Sequence, residues 1–397
     1  MKNPVINKNG GDKKAMRTLV LWSLVFFFFP LLMRLPYLQY PAYSLFDEAH
    51  YIPLARTINS GGSWDSAHPP LSMAIIGEGI KFFGDRPAGW RIFPVIAGSL
   101  GVMLTFLIGY YLGGMRIGLI AAALLSFDPL YYVIGSLAML DIFMAMFFLG
   151  AMLCFIKKFH IGAGVCLGLA MACKWPAFFP FAVIPAILFA LLILKKIVFK
   201  DFLKYAAIYI VIPLAVYGSI YYLSMPQDSR ENIFLRHEKY FKIHMSNSRD
   251  SEPSATHPIF WIICPQKIPM ISRVSIGPEG NFKIKADIAA NPALLWVGFI
   301  SLFYCIWRFV KTKNPGMALA SGGFLFFYLP WFFIGRTSYL FYLTPALPFL
   351  FLCSGFLLDR LTGSKPGRMA LGFYFIFVVC SFIYLYPILS ARPWWTP

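Results

Sequence analysis

Two carboxylates stand side by side in Ser44-Leu45-Phe46-Asp47-Glu48-Ala49-His50-Tyr51, directly after the first very apolar run. Only 17 of 397 residues are acidic, so an adjacent pair at this boundary calls for a reason. A carboxylate here can take the proton of an attacking hydroxyl. It can also hold a divalent cation if further oxygen ligands join it. A purely local role is open as well, because Ser44-Leu45-Phe46-Asp47 fits the S/T-x-x-D/E pattern that closes a helix start. Pro53 bears on the choice. Inside a helix begun at Ser44 it removes a hydrogen bond and kinks the chain. As the first residue of a helix over 53–59 it leaves the acidic pair in a loop.

Other residues share this setting. His68-Pro69-Pro70-Leu71 fixes an extended backbone ahead of an amphipathic segment with Ile75, Ile76, Ile80, Phe82 and Phe83 on its apolar side. Arg91, in Trp90-Arg91-Ile92-Phe93-Pro94, opens an apolar run and must snorkel or pair inward. Asp141 lies so close to an apolar run that it is a functional candidate by default, with pairing to Arg91 as the structural alternative. Asp128 precedes Pro129 and suits a cap or turn. Lys174 and Arg336 are cations in tight connections between apolar runs. They can grip an anionic headgroup, or simply anchor an interface together with Trp175 and Tyr339.

The elements that must position these residues are membrane helices. The chain is 59% hydrophobic and 13% charged, against roughly a quarter charged in soluble domains. Several apolar runs reach the roughly 18–20 residues a bilayer requires. An all-α polytopic fold follows, and a β-barrel, built from short alternating segments, does not. Eleven spans can be drawn, at roughly 18–35, 90–112, 116–134, 137–156, 161–176, 178–195, 204–224, 292–310, 317–334, 339–358 and 369–388. With the N-terminus in the cytoplasm, the inner ends and short loops hold 18 Lys and Arg, and the short outer segments hold 3: Lys174, Arg336 and Arg392. That bias sets the N-terminus inside and the C-terminus outside. Two long segments, 36–89 and 225–291, then lie outside. All acidic residues except Asp12, Asp201 and Asp359 fall in the outer loops or near the outer ends of spans.

The net charge of +18 belongs to this membrane pattern and to anionic lipid headgroups, not to nucleic acid. The 7 cysteines show no CxxC spacing and suit small core positions; Cys264 alone lies in a polar loop. Residues 1–17 are polar and basic, and the run after them lacks a small-residue cleavage site, so it reads as a retained first helix. The proline-containing segment 225–291 is too short for a sizeable independent domain. The whole of 1–397 reads as one membrane domain, with no internal repeat of the transporter kind.

Taken in order, these motifs resemble the protein O-mannosyltransferase family, multispan enzymes of the GT-C class. The resemblance rests on Phe46-Asp47-Glu48-Ala49-His50-Tyr51, His68-Pro69-Pro70-Leu71, Trp90-Arg91-Ile92-Phe93-Pro94, Ala138-Met139-Leu140-Asp141, Lys174-Trp175, Asn291-Pro292 and the tract 335–349 from Gly335-Arg336 to Pro348-Phe349. It implies that a mannosyl group passes from a dolichyl- or polyprenyl-phosphate carrier to a serine or threonine hydroxyl, with inversion. Asp47 would be the base, and Glu48 would position the acceptor or support that base. Arg91, Lys174 and Arg336 would stabilise the departing phosphate, and Asp141 and His68 would join the donor site. The lipid tail would lie between spans, and a secreted or membrane protein would supply the acceptor. No resident cofactor follows beyond the lipid-linked sugar itself, with a divalent metal left open. The chain departs from the family pattern in several places. The second long segment is too short for the β-trefoil-type insertion of the eukaryotic members. Met73 stands where a lysine is usual, Pro53 is unexpected after the acidic pair, and 257–270 matches its block only loosely.

Three functions therefore compete. The first is the membrane mannosyltransferase acting on extracytoplasmic protein hydroxyls. The second is the same donor chemistry on a lipid or glycan acceptor, as in the aminoarabinose transferases. The third is a transporter or lipid-binding scaffold without covalent chemistry, which the missing repeats and the one-sided polar residues disfavour.

Overall fold

The computed structural model describes residues 11–35, 38–62, 64–225, 233–246, 255–277, 280–335 and 337–389. The first apolar run is α1 (Gly11–Arg34). The acidic segment after it folds into α2 (Glu48–Asn59) and α3 (Leu71–Phe83). Six helices then follow closely: α4 (Pro87–Gly113), α5 (Met115–Ser126), α6 (Pro129–Ile134), α7 (Leu140–Ile156), α8 (His160–Cys173) and α9 (Phe178–Ile193). A short α10 (Phe199–Ala206) runs through a π-helical turn into α11 (Ile212–Ser224). The second long segment contributes α12 (Ile233–Ser246), α13 (Pro258–Ile263), β1 (Ile268–Gly277) and β2 (Gly280–Ile288). The chain closes with α14 (Pro292–Thr312), α15 (Pro315–Tyr328), α16 (Leu347–Leu358) and α17 (Lys365–Leu389).

Helix lies within each of the eleven apolar segments drawn from the sequence. Six helical stretches are long and apolar enough to cross a membrane: Lys13–Arg34, Pro87–Gly113, Trp175–Ile193, Phe199–Ser224, Pro292–Thr312 and Lys365–Tyr386. Their surroundings differ. The apolar window of α4 is 61% buried, whereas that of α17 is 11% buried and that of α1 is 17% buried. The helix α4 is thus the central post, and α1 and α17 turn most of their apolar surface outward, as lipid-facing helices do. Asp128 breaks the third apolar run, because its carboxylate accepts from the Tyr131 amide at 2.7 Å and starts α6 at Pro129.

The amphipathic segment expected after the two prolines is α3. Ile76 and Met73 are fully buried, while Phe82 and Phe83 are exposed. A side chain at Gly79 would collide with the Gly89 carbonyl, so this glycine lets α3 lie against the start of α4. The second long segment carries regular structure that the sequence reading left out. Its strands pair antiparallel from Ile268↔Ile288 to Gly277↔Gly280, with an irregularity between Pro269 and Ile271. A proline near a bulge is consistent with its missing donor. The base of this hairpin is buried at Ile268 and Ile288 and packs against α6 and α17.

Candidate active site

The adjacent carboxylates part company at the start of α2. The helix begins at Glu48, and Asp47 is its N-cap residue without any side-chain cap hydrogen bond. Pro53 lies inside the helix, so the acidic pair belongs to a helix start and not to a distant loop. Glu48 is completely buried. Its Oε1 accepts from Arg91 Nε at 2.9 Å and from the Ala138 amide at 2.8 Å. Its Oε2 accepts from Arg91 Nη2 at 2.7 Å and from the Leu45 amide at 2.9 Å. Four donors fill this carboxylate. Arg91, 1% exposed, spends its remaining reach on the carbonyls of Pro41 at 2.9 Å and Tyr43 at 3.0 Å. A buried charge is tolerable only when paired and hydrogen-bonded this fully. The arrangement makes Glu48 and Arg91 a clamp that ties the acidic turn to α4 and to the start of α7. It leaves no guanidinium edge for a phosphate.

Asp47 faces elsewhere. Its carboxylate is half-buried, and Tyr51, one turn along α2, donates its hydroxyl to Oδ2 at 3.4 Å. Burial pushes its pKa above the ordinary carboxylate value. Lys174 pulls it down, Asp141 raises it, and His50 and the Tyr51 hydroxyl lower it, with burial the largest influence. Residues far apart in sequence therefore act on one carboxylate. The preceding residue, Phe46, has φ of 50°, a left-handed conformation that costs a side-chain-bearing residue about 1 kcal/mol. Its ring meets Phe341 edge-on at 5.2 Å, and the filled Glu48 carboxylate fixes the turn from the other side. The strain is thereby held in place next to Asp47.

Lys174 and Asp141 form the second buried pair, with Nζ 2.6 Å from Oδ2. Asp141 stands in the first turn of α7, and Lys174 follows the last residue of α8 in an extended conformation. The two helices pack against each other. The negative charge thus sits at a helix N-terminus and the positive charge at a helix C-terminus, as the backbone dipoles favour. Asp141 takes Lys174 and not Arg91, because Glu48 has already claimed Arg91. The Lys174 ammonium also lies 5.3 Å from the Phe341 ring and 5.2 Å from the Tyr342 ring, within cation–π range. Trp331 stacks on Tyr342 at 4.5 Å behind it.

His68 reaches the site indirectly. Its ring lies 6.2 Å from that of Tyr51, the residue that contacts Asp47. Arg336 lies outside the described residues. The structure brings together Asp47, Tyr51, Asp141, Lys174 and, at one remove, His68. It sets Glu48 and Arg91 beneath them. Sequence reasoning passed over three neighbours, Tyr51, Phe341 and Tyr342. Tyr51 was findable, being four residues after Asp47 on one helix face. Nothing in the tract 339–349 singles out the two aromatic residues that meet a lysine 167 and 168 positions upstream. Among the described residues, no group of three or more His, Cys, Asp and Glu side chains stands close enough to hold a metal ion.

Comparison with known proteins gives this geometry its context. A sequence model of dolichyl-phosphate-mannose-protein mannosyltransferases matches residues 24–226, just over half of the chain. The chain belongs to this mannosyltransferase family. It is 25% identical to the polyprenol-phosphate-mannose–protein mannosyltransferase of Mycolicibacterium smegmatis, over 88% of this chain and 84% of that protein. The Mycobacterium tuberculosis protein of the same name is also 25% identical, over 88% and 83%. Among solved structures, a S. cerevisiae protein O-mannosyltransferase complex bound to the sugar donor superposes with a TM-score of 0.80. It is 14% identical and covers 95% of this chain and 91% of that one. ArnT from Cupriavidus metallidurans bound to undecaprenyl phosphate gives 0.61 at 18% identity, over 94% and 65%. These structural likenesses establish the GT-C membrane fold. The matched stretch 24–226 contains every residue of the candidate site named from the sequence except Arg336.

Proposed function

We propose that this mannosyltransferase moves a mannosyl group from a polyprenyl-phosphate carrier to a serine or threonine hydroxyl of an extracytoplasmic protein. The observation that carries the reading is the division of labour at the acidic pair. Glu48 is saturated by four donors, while Asp47 keeps a half-buried carboxylate beside the Lys174–Asp141 pair. The names of the mycobacterial relatives support both the donor class and the protein acceptor.

In this mechanism the acceptor oxygen attacks the anomeric carbon on the side opposite the phosphate. The bond from that carbon to the phosphate oxygen breaks, and configuration inverts. Asp47 takes the hydroxyl proton; its raised pKa makes it a stronger base than an ordinary aspartate. Charge grows on the departing phosphate, and Lys174, held by Asp141, is the fixed cation that stabilises it. Arg336 is the second cation of that phosphate site. His68 supports Asp47 through Tyr51. Glu48 and Arg91 act on the reaction only by fixing the turn that carries Asp47. The active site faces the extracytoplasmic side and the N-terminus is cytoplasmic, a reading that rests on the 18-to-3 distribution of Lys and Arg. The carrier's lipid tail lies among the membrane helices.

The test uses purified full-length protein, radiolabelled polyprenyl-phosphate mannose and a Ser/Thr-containing acceptor peptide. Asp47→Asn is expected to bind donor and to transfer mannose about 10²- to 10⁴-fold more slowly. Normal transfer by that variant would remove Asp47 as the base. Mass spectrometry of extracytoplasmic proteins and of lipids from a deletion strain separates the acceptors, with loss of mannose expected on proteins and not on lipids or glycans.

A further inference from the structure

The helix α12 touches both halves of the candidate site. On one side it grips the segment that leads to His68. Arg236 donates to the Trp64 carbonyl at 3.2 Å, and its guanidinium lies 5.0 Å over the Trp64 ring. Lys239 pairs with Asp65, and Tyr240, fully buried, donates to the same carboxylate at 3.1 Å. Hydrogen bonding from Lys239, and to a lesser extent from Tyr240, holds the Asp65 pKa below its ordinary value against the opposing effect of burial. Trp64 in turn donates to the Ser224 carbonyl at 2.8 Å, at the end of α11.

On the other side, His237 stacks on Trp175, with ring centroids 6.0 Å apart and planes 18° from parallel. Its Nε2 is hydrogen-bonded to the Tyr217 hydroxyl at 2.6 Å, and Tyr221 closes over the ring at 5.0 Å. Trp175 is the residue after Lys174. Lys174 is extended, and the three residues after it form a single 3-10 turn. The Lys174 backbone is held by two hydrogen bonds, its amide to the Ala170 carbonyl at 3.4 Å and its carbonyl from the Ala177 amide at 3.2 Å, and the direction of the turn beyond it depends on what packs against Trp175. The histidine stack supplies such a side-chain contact.

We propose that α12 is a crossbar between the two halves of the active site, and that His237 is a positioning residue which aims Lys174 through Trp175. Asp65, Ser66 and His68 connect the crossbar to Tyr51 and Asp47, because Ser66 Oγ accepts from the His68 amide at 3.1 Å and His68 faces Tyr51. The spacing between the base and the phosphate-binding cation is then set by a helix that contributes no group to either. The proposal rests on Lys174 belonging to the site.

The experiment measures kcat and acceptor KM for His237→Ala, Trp175→Ala and the double variant in the full-length protein. Lys174→Met is run in parallel. His237→Ala is expected to lower kcat roughly ten- to a hundredfold, the scale on which small misplacements act, with acceptor KM unchanged. In the Trp175→Ala background the same change should add nothing, because the effect passes through the stack. Independent, multiplying losses would overturn the crossbar, as would a rise confined to acceptor KM, which would make His237 an acceptor contact. If His237→Ala does not fold, His237→Phe and His237→Gln carry the test. Phe keeps the stack and should keep kcat, and Gln keeps a partner for Tyr217 and should lose it; the opposite result refutes the proposal. Normal turnover by Lys174→Met would instead bring down the reading of the site, which makes the two failures distinguishable.

Discussion

Two buried ion pairs lie within one site, and they differ in how far their valences are filled. In Arg91–Glu48, at 1% and 0% side-chain exposure, every carboxylate lone pair in reach has a donor and the guanidinium is shared with two carbonyls. In Lys174–Asp141, at 3% and 2%, a single hydrogen bond joins the partners among the described residues, and two aromatic rings lie 5.2 and 5.3 Å from the ammonium. Burial does not distinguish the two pairs. Saturation does. A filled pair resists change, whereas a pair with one bond and π-faces around it can exchange a partner for a substrate oxygen.

Substitutions can break this contrast. The largest effect is expected for Asp47→Asn, whose transfer rate should fall about 10²- to 10⁴-fold, the range of a lost general base, while donor binding persists in an equilibrium binding assay. The next concerns the filled pair. Glu48→Ala should cost about 3–5 kcal/mol, because it leaves the Arg91 charge buried and uncompensated, seen as a lowered melting temperature in detergent. Asp47→Asn should not be destabilised at neutral pH. The sign follows from its raised native pKa: the ionised form is penalised in the folded state, so stability is lost as pH rises and the amide escapes that loss. Equal destabilisation of the two variants would erase the distinction between the carboxylates.

Lys174→Met should lower kcat about 10²-fold, comparable to removing one charge-stabilising donor, with a melting temperature closer to wild type than that of Glu48→Ala. The acid limb of kcat/KM should lie above the ordinary aspartate value of about 3.9 and should vanish from the residual activity of Asp47→Asn. A limb at or below that value would contradict the burial of Asp47. The smallest effect belongs to an exposed pair. Arg56 and Asp85, 46% and 47% exposed and joined at 2.8 Å, should contribute less than about 1 kcal/mol. High salt should remove most of the difference between wild type and Arg56→Ala.

The sequence carried more of the site's membership than of its internal roles. Asp47, Asp141 and Lys174 were legible because charge near an apolar run is costly and must be explained. Their pairing was not. Periodicity places residues on faces of helices, but it does not say which of two cations an aspartate meets. Arg91, the partner considered for Asp141, pairs with Glu48, and Lys174 takes its place at Asp141. The saturation of Glu48 depends on the Leu45 and Ala138 amides, and backbone donors leave no signature in residue types. The helical architecture was legible from apolar length and proline positions. The hairpin over 268–288 was missed although Phe282-Lys283-Ile284-Lys285-Ala286-Asp287-Ile288 alternates apolar and polar residues after a glycine-flanked turn, a strand signal that the search for long apolar runs passed over.

The clamp also sets an order of assembly. Glu48 follows α1, Arg91 opens α4, and the Ala138 amide arrives just before α7. During synthesis the clamp can close as soon as the chain up to that amide is available, and proteins made vectorially tend to settle their N-terminal parts first. Lys174 comes later, then the crossbar, and last the aromatic pair Phe341 and Tyr342. The turn that carries Asp47, the base of the proposed mechanism, is therefore seated before Lys174 has been made. A chain truncated after α7 and released into the membrane would carry the closed clamp, which limited proteolysis could reveal as a protected fragment spanning α2 to α7.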